Sequence, residues 1–393
     1  MGNRLRQYGQ GESEGFTLAD IPHADIALYF PDTPSKLYQL KQWLPIFESG
    51  PRPTIVVTRS VETYDALAGT TPLRVLLVPT FEELMALYDK ADFRCVVYVN
   101  NGWSNFQSLA YQEAVHIHVN HGESDKICMV SNQAKAYDRV FVAGDAAIER
   151  HRAALAWFDE SHLIPVGRPQ LDLAAASPVG AHPGTTITYA PTWEGEDEAN
   201  NYTSIDRYGV ALVDAALAQP GARVLYKPHP RIETSTTPSI RRAHERIVQS
   251  ITQAGPPHAV LADADVLGVI RTTDLMIADV SSVTLDHLYL RPDAPILLCD
   301  RRSDPERLAA DTPLARAVTT IDATSIAQAQ VILASLLADD AHRGDRLRMR
   351  SHYFGAGDPG ESTRRFWDQI DRAISDHDTA VRNLNRTRVT GEV

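Results

Sequence analysis

The stretch Leu275-Met-Ile-Ala-Asp279-Val-Ser281-Ser282-Val-Thr284-Leu-Asp286-His-Leu-Tyr-Leu290 changes its hydrophobic period halfway. Leu275–Ala278 is an apolar run of strand length, and after the hydroxyl pair the pattern becomes helical. A strand that feeds a helix through a tight polar turn is the unit of a parallel sheet, because parallel neighbours must be joined by a crossover. The same alternation extends in both directions. Upstream lie strand candidates Ala259–Leu261, Arg223–Lys227 and Thr186–Ala190, and downstream lies Pro295–Cys299, with helical patterns between them.

Further upstream the pattern repeats in Asp25–Phe30, Thr54–Thr58, Arg74–Val78, Arg94–Val99, Val115–Val119, Val140–Ala143 and Leu163–Val166. Helical stretches such as Pro34–Ser49 and Phe81–Ala91 separate most of these runs. The softer passage AAASPVGAHPGT, rich in small residues, Pro and Gly, then reads as an interdomain connection. With 393 residues the chain is long enough for two cores, since single cores stop growing near roughly 250 residues. The expected fold class is α/β, with two doubly wound parallel-sheet domains over 1–175 and 176–378 and a polar, frayed tail over 379–393. Their carboxyl strand ends are expected to face a shared cleft, where ligands of such sheets bind.

Composition narrows the function. The formal charge of −12 gives no global attraction for nucleic acid or an anionic membrane, so no nucleic-acid partner is expected and phosphate must be held locally. The three scattered cysteines suggest neither a disulfide framework nor a metal knuckle. No apolar run approaches the roughly 20 residues that span a bilayer, and the opening Met-Gly has Arg6 where a myristoylation signal needs Ser or Thr. A cytoplasmic protein is the plain expectation.

Three segments carry candidate chemistry. Ser281 and Ser282 stand at a helix start, where free N–H groups and the helix dipole favour anions, although serines also serve there simply as caps. The stretch Lys227-Pro-His229-Pro-Arg231 closes a strand with three basic groups. Its prolines would hold an extended, stiff loop fit for a pyrophosphate, or else an ordinary solvated turn. In His116-Ile-His118-Val-Asn120-His121-Gly122-Glu123-Ser124-Asp125-Lys126, a histidine after a strand suits deprotonation of a hydroxyl. The HxHxxH spacing also matches binuclear zinc hydrolases, although Asn120 stands where these usually have Asp. Asp263-Ala-Asp265 looks like a metal-holding DxD pair, but Asp263 reads more simply as a helix cap. Thr192 and Trp193, after Thr186–Ala190, read either as bordering a ligand or, for the aromatic, as packing.

Taken in order, NHGESDK, VGRPQLD, YAPTWEG, KPHP, ADVSSVTLDHLYL and GESTRRF resemble the motifs of the CDP-glycerol glycerophosphotransferase family over roughly residues 110 to 375. The resemblance implies a GT-B architecture and transfer of a polyol phosphate from a CDP-polyol to a hydroxyl of a teichoic acid, capsule or lipid-linked acceptor, with release of CMP. It makes His121 the general base and places His229, Ser281 and Ser282 on the donor pyrophosphate. It puts Arg364 or Arg365 near the donor phosphates. Apart from the resemblance, Lys227, Arg231 and Thr192 are expected on the donor side from their own segments, and Asp286, a turn into its helix, contacts the ribose or faces solvent. The chain departs from the family's Trp-His-Gly-Thr-Pro-Leu-Lys, with Asn120 for the Trp and Glu123-Ser124-Asp125 for Thr-Pro-Leu, whereas Lys126 keeps its basic position. No metal ligands and no cofactor are expected, a divalent cation being left open. Peripheral membrane contact follows from the expected acceptor alone. The rivals are a glycosyltransferase using a nucleotide sugar, a nucleotide-binding regulator and the zinc hydrolase.

Overall fold

A computed structural model describes residues 4–6, 15–17, 21, 23–357 and 360–390. Strands β1 (Arg4–Arg6) and β2 (Gly15–Thr17) form an antiparallel pair of their own. Then come β3 (Ile26–Phe30), β4 (Thr54–Thr58), β5 (Arg74–Leu77), β6 (Cys95–Tyr98), β7 (Val115–His118), β8 (Arg139–Val142) and β9 (Leu163–Pro165). They make one sheet in the order β5-β4-β3-β6-β7-β8-β9, parallel throughout. Next follow β10 (Thr186–Ala190), β11 (Arg223–Tyr226), β12 (Ala259–Val260), β13 (Leu275–Asp279), β14 (Ile296–Cys299) and β15 (Thr319–Ile321). These form a second parallel sheet in the order β12-β11-β10-β13-β14-β15. In each sheet the first long strand sits inside and the chain winds outward on either side, which is the doubly wound arrangement.

The strands are apolar and buried on both faces because helices cover both sides of such sheets. In β3, Ile26, Leu28 and Phe30 enter one hydrophobic cluster while Ala27 and Tyr29 enter another on the opposite face. In the second unit Ile187, Tyr189, Val224, Tyr226, Leu275 and Ile277 share a core with the amphipathic helix Pro238–Ala254, through its Ile240, Ile247 and Ile251.

The expected domain limits need correction. One compact unit comprises 1–122, 130–173 and 357–393, and the other 123–129 and 174–356. Residues 357–378, expected in the second domain, belong to the first. The helix Glu361–Thr390 carries Phe366, Trp367, Ile370, Ala373 and Ile374 into the first sheet's core, with Phe366 packed edge-on against Phe47 and Phe141 and tilted against Trp43. Its first turn is held by Asp172, whose carboxylate accepts from the N–H groups of Gly360 (2.8 Å) and Thr363 (2.7 Å). The tail expected to fray from Thr379 continues this helix to Thr390; residues 391–393 lie outside the described residues.

Two local expectations also differ. Pro34–Ser49 is a 3-10 turn followed by the short helices Leu37–Lys41 and Leu44–Glu48, the second of them with Pro45 in its first turn, since proline suits a first helical turn and not an interior. The cap of Val266–Arg271 is Asp265, which accepts from Leu267 N–H at 3.1 Å, and not Asp263.

Candidate functional site

In the second sheet the strand order reverses between β10 and β13, and β11 flanks β10. Ligands of doubly wound sheets bind outside the carboxyl ends at such a reversal. The segments leaving these three strands are Pro191–Glu194, Lys227–Arg231 and Val280–Ser282. Thr192, Lys227, His229, Ser281 and Ser282 therefore gather at one sheet edge from positions up to 90 residues apart in sequence.

Ser281 is the N-cap of the helix Ser282–Leu290, with extended backbone at φ −160° and ψ 169°, yet its side chain makes no capping bond. Its Oγ lies 3.3 Å from Thr284 Oγ1, and Thr284 in turn donates to the carbonyl of Asp279 at 2.5 Å. The capping explanation of Ser281 thus does not account for its hydroxyl. Ser281 is buried and Ser282 half-buried beside it, at a helix end whose leading N–H groups and dipole favour negative charge. Asp286, one turn further in, is 2% exposed, which corrects the alternative that it faces solvent.

Asp279, the last residue of β13, organises the edge. Its carboxylate accepts from the backbone N–H of Thr192 at 2.8 Å and of Ser204 at 3.1 Å, tying the segment after β10 to the sheet. Burial pushes its pKa up to about 6, against the pull of these hydrogen bonds and of Lys126. Lys126 donates to Thr192 Oγ1 at 2.7 Å and lies 5.7 Å from the ring centre of Tyr202. Burial holds its pKa below the usual lysine value. Thr192, expected to border a ligand, is instead buried and bonded on both sides.

The basic loop is built differently from the extended cationic strap expected for it. Lys227 is buried and donates to the carbonyls of Ala262 (2.8 Å) and Pro228 (3.2 Å). Desolvation lowers its pKa. His229 caps the short helix Pro230–Glu233, its Nδ1 accepting from Arg231 N–H at 3.1 Å. That bond leaves the neutral ring's proton on Nε2, as a donor. Arg231 therefore sits on a helix, with its guanidinium 3.6 Å from the ring centre of Trp193 and 2.9 Å from Glu196 Oε1.

His121 and Arg364 belong to the first unit. Asn120, just past β7, has φ +54°, a left-handed backbone that Asn tolerates better than most residues. Its carbonyl accepts from Trp43 Nε1 at 2.6 Å and its Oδ1 from His121 N–H at 2.8 Å. His121 is half-buried, edge-on to Tyr38 at 6.0 Å between ring centres. Arg364 is exposed and pairs with Asp368 at 3.3 Å on its own helix.

His116 and His118 fill a buried strand. His116 is bonded to Tyr98 Oη (2.7 Å) and Tyr111 O (2.6 Å), and His118 stacks on Tyr137 at 5.0 Å. Burial lowers both pKa values, that of His118 to about 3. No group of three or more His, Cys, Asp or Glu among the described residues is placed to hold a metal ion.

Sequence reasoning assigned no role to Asp279 and none beyond a retained charge to Lys126. An apolar strand ending in a buried acid, LMIAD, was the available signal, since a fully buried carboxylate needs donors. Arg301 was also missed; it is buried, donates to Thr203 O at 2.8 Å and pairs with Asp206.

The family profile described as CDP-Glycerol:Poly(glycerophosphate) glycerophosphotransferase matches residues 76–300. No sequence among the curated proteins matches the chain. Among solved structures, the wall teichoic acid polymerase TagF is 14% identical, with 89% of this chain and 88% of that one covered and a TM-score of 0.54. A UDP-GlcNAc 2-epimerase from Neisseria meningitidis is 11% identical, covering 88% and 100%, with a TM-score of 0.56. A glycosyltransferase from Rickettsia africae is 11% identical, covering 90% and 99%, with a TM-score of 0.55. At these identities the likeness is one of fold.

Proposed function

We propose, from the premise that this chain belongs to the CDP-glycerol:poly(glycerophosphate) glycerophosphotransferase family, that His121 and the β10/β13 edge carry the family's transfer in this enzyme. The chain is a GT-B-type transferase of the CDP-glycerol glycerophosphotransferase kind. The donor is a CDP-polyol, with CDP-glycerol the first choice. The acceptor is a hydroxyl of a cell-envelope polymer, teichoic acid or capsule, or of its lipid-linked precursor.

In the step proposed, the acceptor hydroxyl attacks the β-phosphorus of the donor in line. The bond from that phosphorus to the bridging oxygen breaks, CMP departs with the bridging oxygen, and the hydroxyl proton passes to His121. Ser281, Ser282 and the N–H groups of their helix hold the phosphate oxygens, and His229 adds its Nε2–H. Positioning and neutralisation of charge supply most of the acceleration, as in other phosphoryl transfers. Lys227 and Thr192 support the edge from behind, Arg231 shapes it through Trp193, and Asp286 backs the phosphate-binding turn. Arg364, paired with Asp368 on its own helix, is the proposed basic group for the donor phosphates.

The observation that carries this reading is Ser281, a hydroxyl at a helix start on the sheet's reversal point that caps no backbone N–H of its helix and has only a long 3.3 Å contact to Thr284 Oγ1. Among the described residues no helix is long and apolar enough to cross a membrane. The proposal accordingly places the enzyme in the cytoplasm, in peripheral contact with the membrane that carries its acceptor.

The test incubates purified protein with CDP-polyols or nucleotide sugars plus an envelope acceptor and identifies the released nucleotide by mass. CMP from CDP-glycerol, reduced roughly 100- to 10,000-fold in His121→Ala, is the result expected for loss of a general base. Near-normal turnover in His121→Ala would end the base assignment. UDP or GDP release would move the chain to sugar transfer.

A further inference from the structure

We propose that the reversal point of the first sheet is a saccharide subsite, which takes a neutral pyranose unit of the acceptor and leads it toward His121. The proposal rests on the transferase reading for the word acceptor.

The first sheet reverses its strand order between β3 and β6, with Tyr29 opposite Tyr98 in register. By the rule that locates the donor edge, this is where a second crevice opens. Asp32 follows β3 and Asn100 follows β6. Asn100 Nδ2 donates to Asp32 Oδ2 and to Gln39 Oε1, both at 2.8 Å, and Lys36 Nζ donates to Asp32 Oδ1 at 3.1 Å. Asn101 Oδ1 is buried with no hydrogen-bond partner among the described residues.

The chain then passes over this cluster at Gly102. A Cβ there would sit 2.9 Å from Asp32 Oδ2 and 3.1 Å from Asn100 Oδ1, so only glycine lets the backbone approach so closely. The next residue, Trp103, is 81% exposed and Phe106 is 41% exposed, their ring centres 5.4 Å apart at 72°. The turn is anchored from below by Tyr29 Oη, which donates to Ser104 O at 3.3 Å, and by Asn105 Nδ2, which donates to Asn100 O at 2.7 Å. A large indole is thus displayed to solvent on a fixed turn, next to a carboxylate and two amides.

Planar carboxylate and amide groups can satisfy adjacent hydroxyls, and the electron-rich face of an indole attracts the C–H face of a sugar ring. A phosphodiester chain fits worse. Lys36 is balanced by Asp32, and Arg59 is bonded to Gln107 Oε1 at 2.5 Å and Pro79 O at 2.8 Å. Both of these cations are thus already engaged among the described residues. From this cluster hydrogen bonds run from Asn100 to Gln39 and from Gln39 Nε2 to Tyr38 Oη at 3.2 Å, and the Tyr38 ring meets the proposed base His121 edge-on at 6.0 Å.

The experiment uses the full-length protein and saturation-transfer NMR, with neutral methyl mono- and disaccharide glycosides and a glycerol phosphate trimer as probes. The glycosides should show transfer to their ring protons, weakened about 10-fold in Trp103→Ala and restored in Trp103→Phe, as for loss and recovery of one ring contact. Asn101→Ala, a second variant, should weaken the same probes. Absence of glycoside binding to the unaltered protein, equal binding in Trp103→Ala, or an effect of Trp103→Ala on the trimer alone would overturn the subsite. CMP release is read separately. If glycosides bind through Trp103 but CDP-glycerol yields no CMP, the transferase reading fails and the saccharide subsite stands.

Discussion

Replacing Ser281 by alanine separates a structural hydroxyl from a functional one. A serine that caps its helix through its side chain stabilises it, and losing the cap costs about 0.5–2 kcal/mol. In this protein the Ser281 side chain makes no such bond, and its hydroxyl lies 3.3 Å from Thr284 Oγ1, long for a hydroxyl pair. Ser281→Ala should therefore leave thermal stability unchanged within the roughly 0.5 kcal/mol expected of a neutral substitution. If the hydroxyl donates to a donor phosphate, the variant loses a hydrogen bond to a charged group, worth about 1.5–3 kcal/mol. At 1.36 kcal/mol per factor of ten that is roughly a 10- to 150-fold fall in kcat/KM for CDP-glycerol. The assay is CMP release at varied donor concentration, alongside thermal melting of both proteins. A lower melting temperature with unchanged kcat/KM would show that Ser281 is a cap after all and refute the argument from its idle side chain.

Two further outcomes follow from the buried edge. Thr192→Val keeps the shape but removes the acceptor of Lys126, at a cost of about 1.5–3 kcal/mol for a bond to a charged donor. Amide exchange across residues 123–129 should therefore quicken roughly 10- to 150-fold, and unchanged exchange would discard the anchoring role. Burial pushes the pKa of Asp279 in the folded state up to about 6, above the usual carboxylate range. The folded state thus holds this proton more tightly, and the stability that it lends is full below the unfolded value and lost as pH rises through 6. About two pKa units correspond to roughly 3 kcal/mol across that window. Asp279→Asn does not titrate, so its deficit against the unaltered protein, read from exchange at Leu275–Asp279, should narrow between pH 4 and pH 6; parallel pH profiles would contradict this.

The doubly wound architecture was legible in the sequence because its signals are local. An apolar strand, a polar turn and a helical pattern fit within about twenty residues, and strands such as Thr54–Thr58 and Thr186–Ala190 emerge with the limits their β-branched runs suggest. Ser281 and Ser282 were legible for the same reason: a hydroxyl pair between strand and helix marks a helix start wherever the helix packs. Strand β15, Thr319–Ile321, was not, being three residues long in polar surroundings.

What only the tertiary structure decided are partnerships across long separations. Lys126 meets Thr192 from 66 positions away and Thr192 meets Asp279 from 87, and no periodicity connects residues so far apart. The basic loop illustrates the same limit. Its prolines set φ, but whether Lys227 faced a ligand or the carbonyls of Pro228 and Ala262 depended on where the segment after β12 came to lie. The last helix returned to the first unit because Phe366, Trp367 and Ile370 needed an apolar face to bury, and Phe141 of β8 with Phe47 of the helix Leu44–Glu48 supplied it. Sequence determines which groups must be buried or bonded; only the folded path of the chain determines with whom.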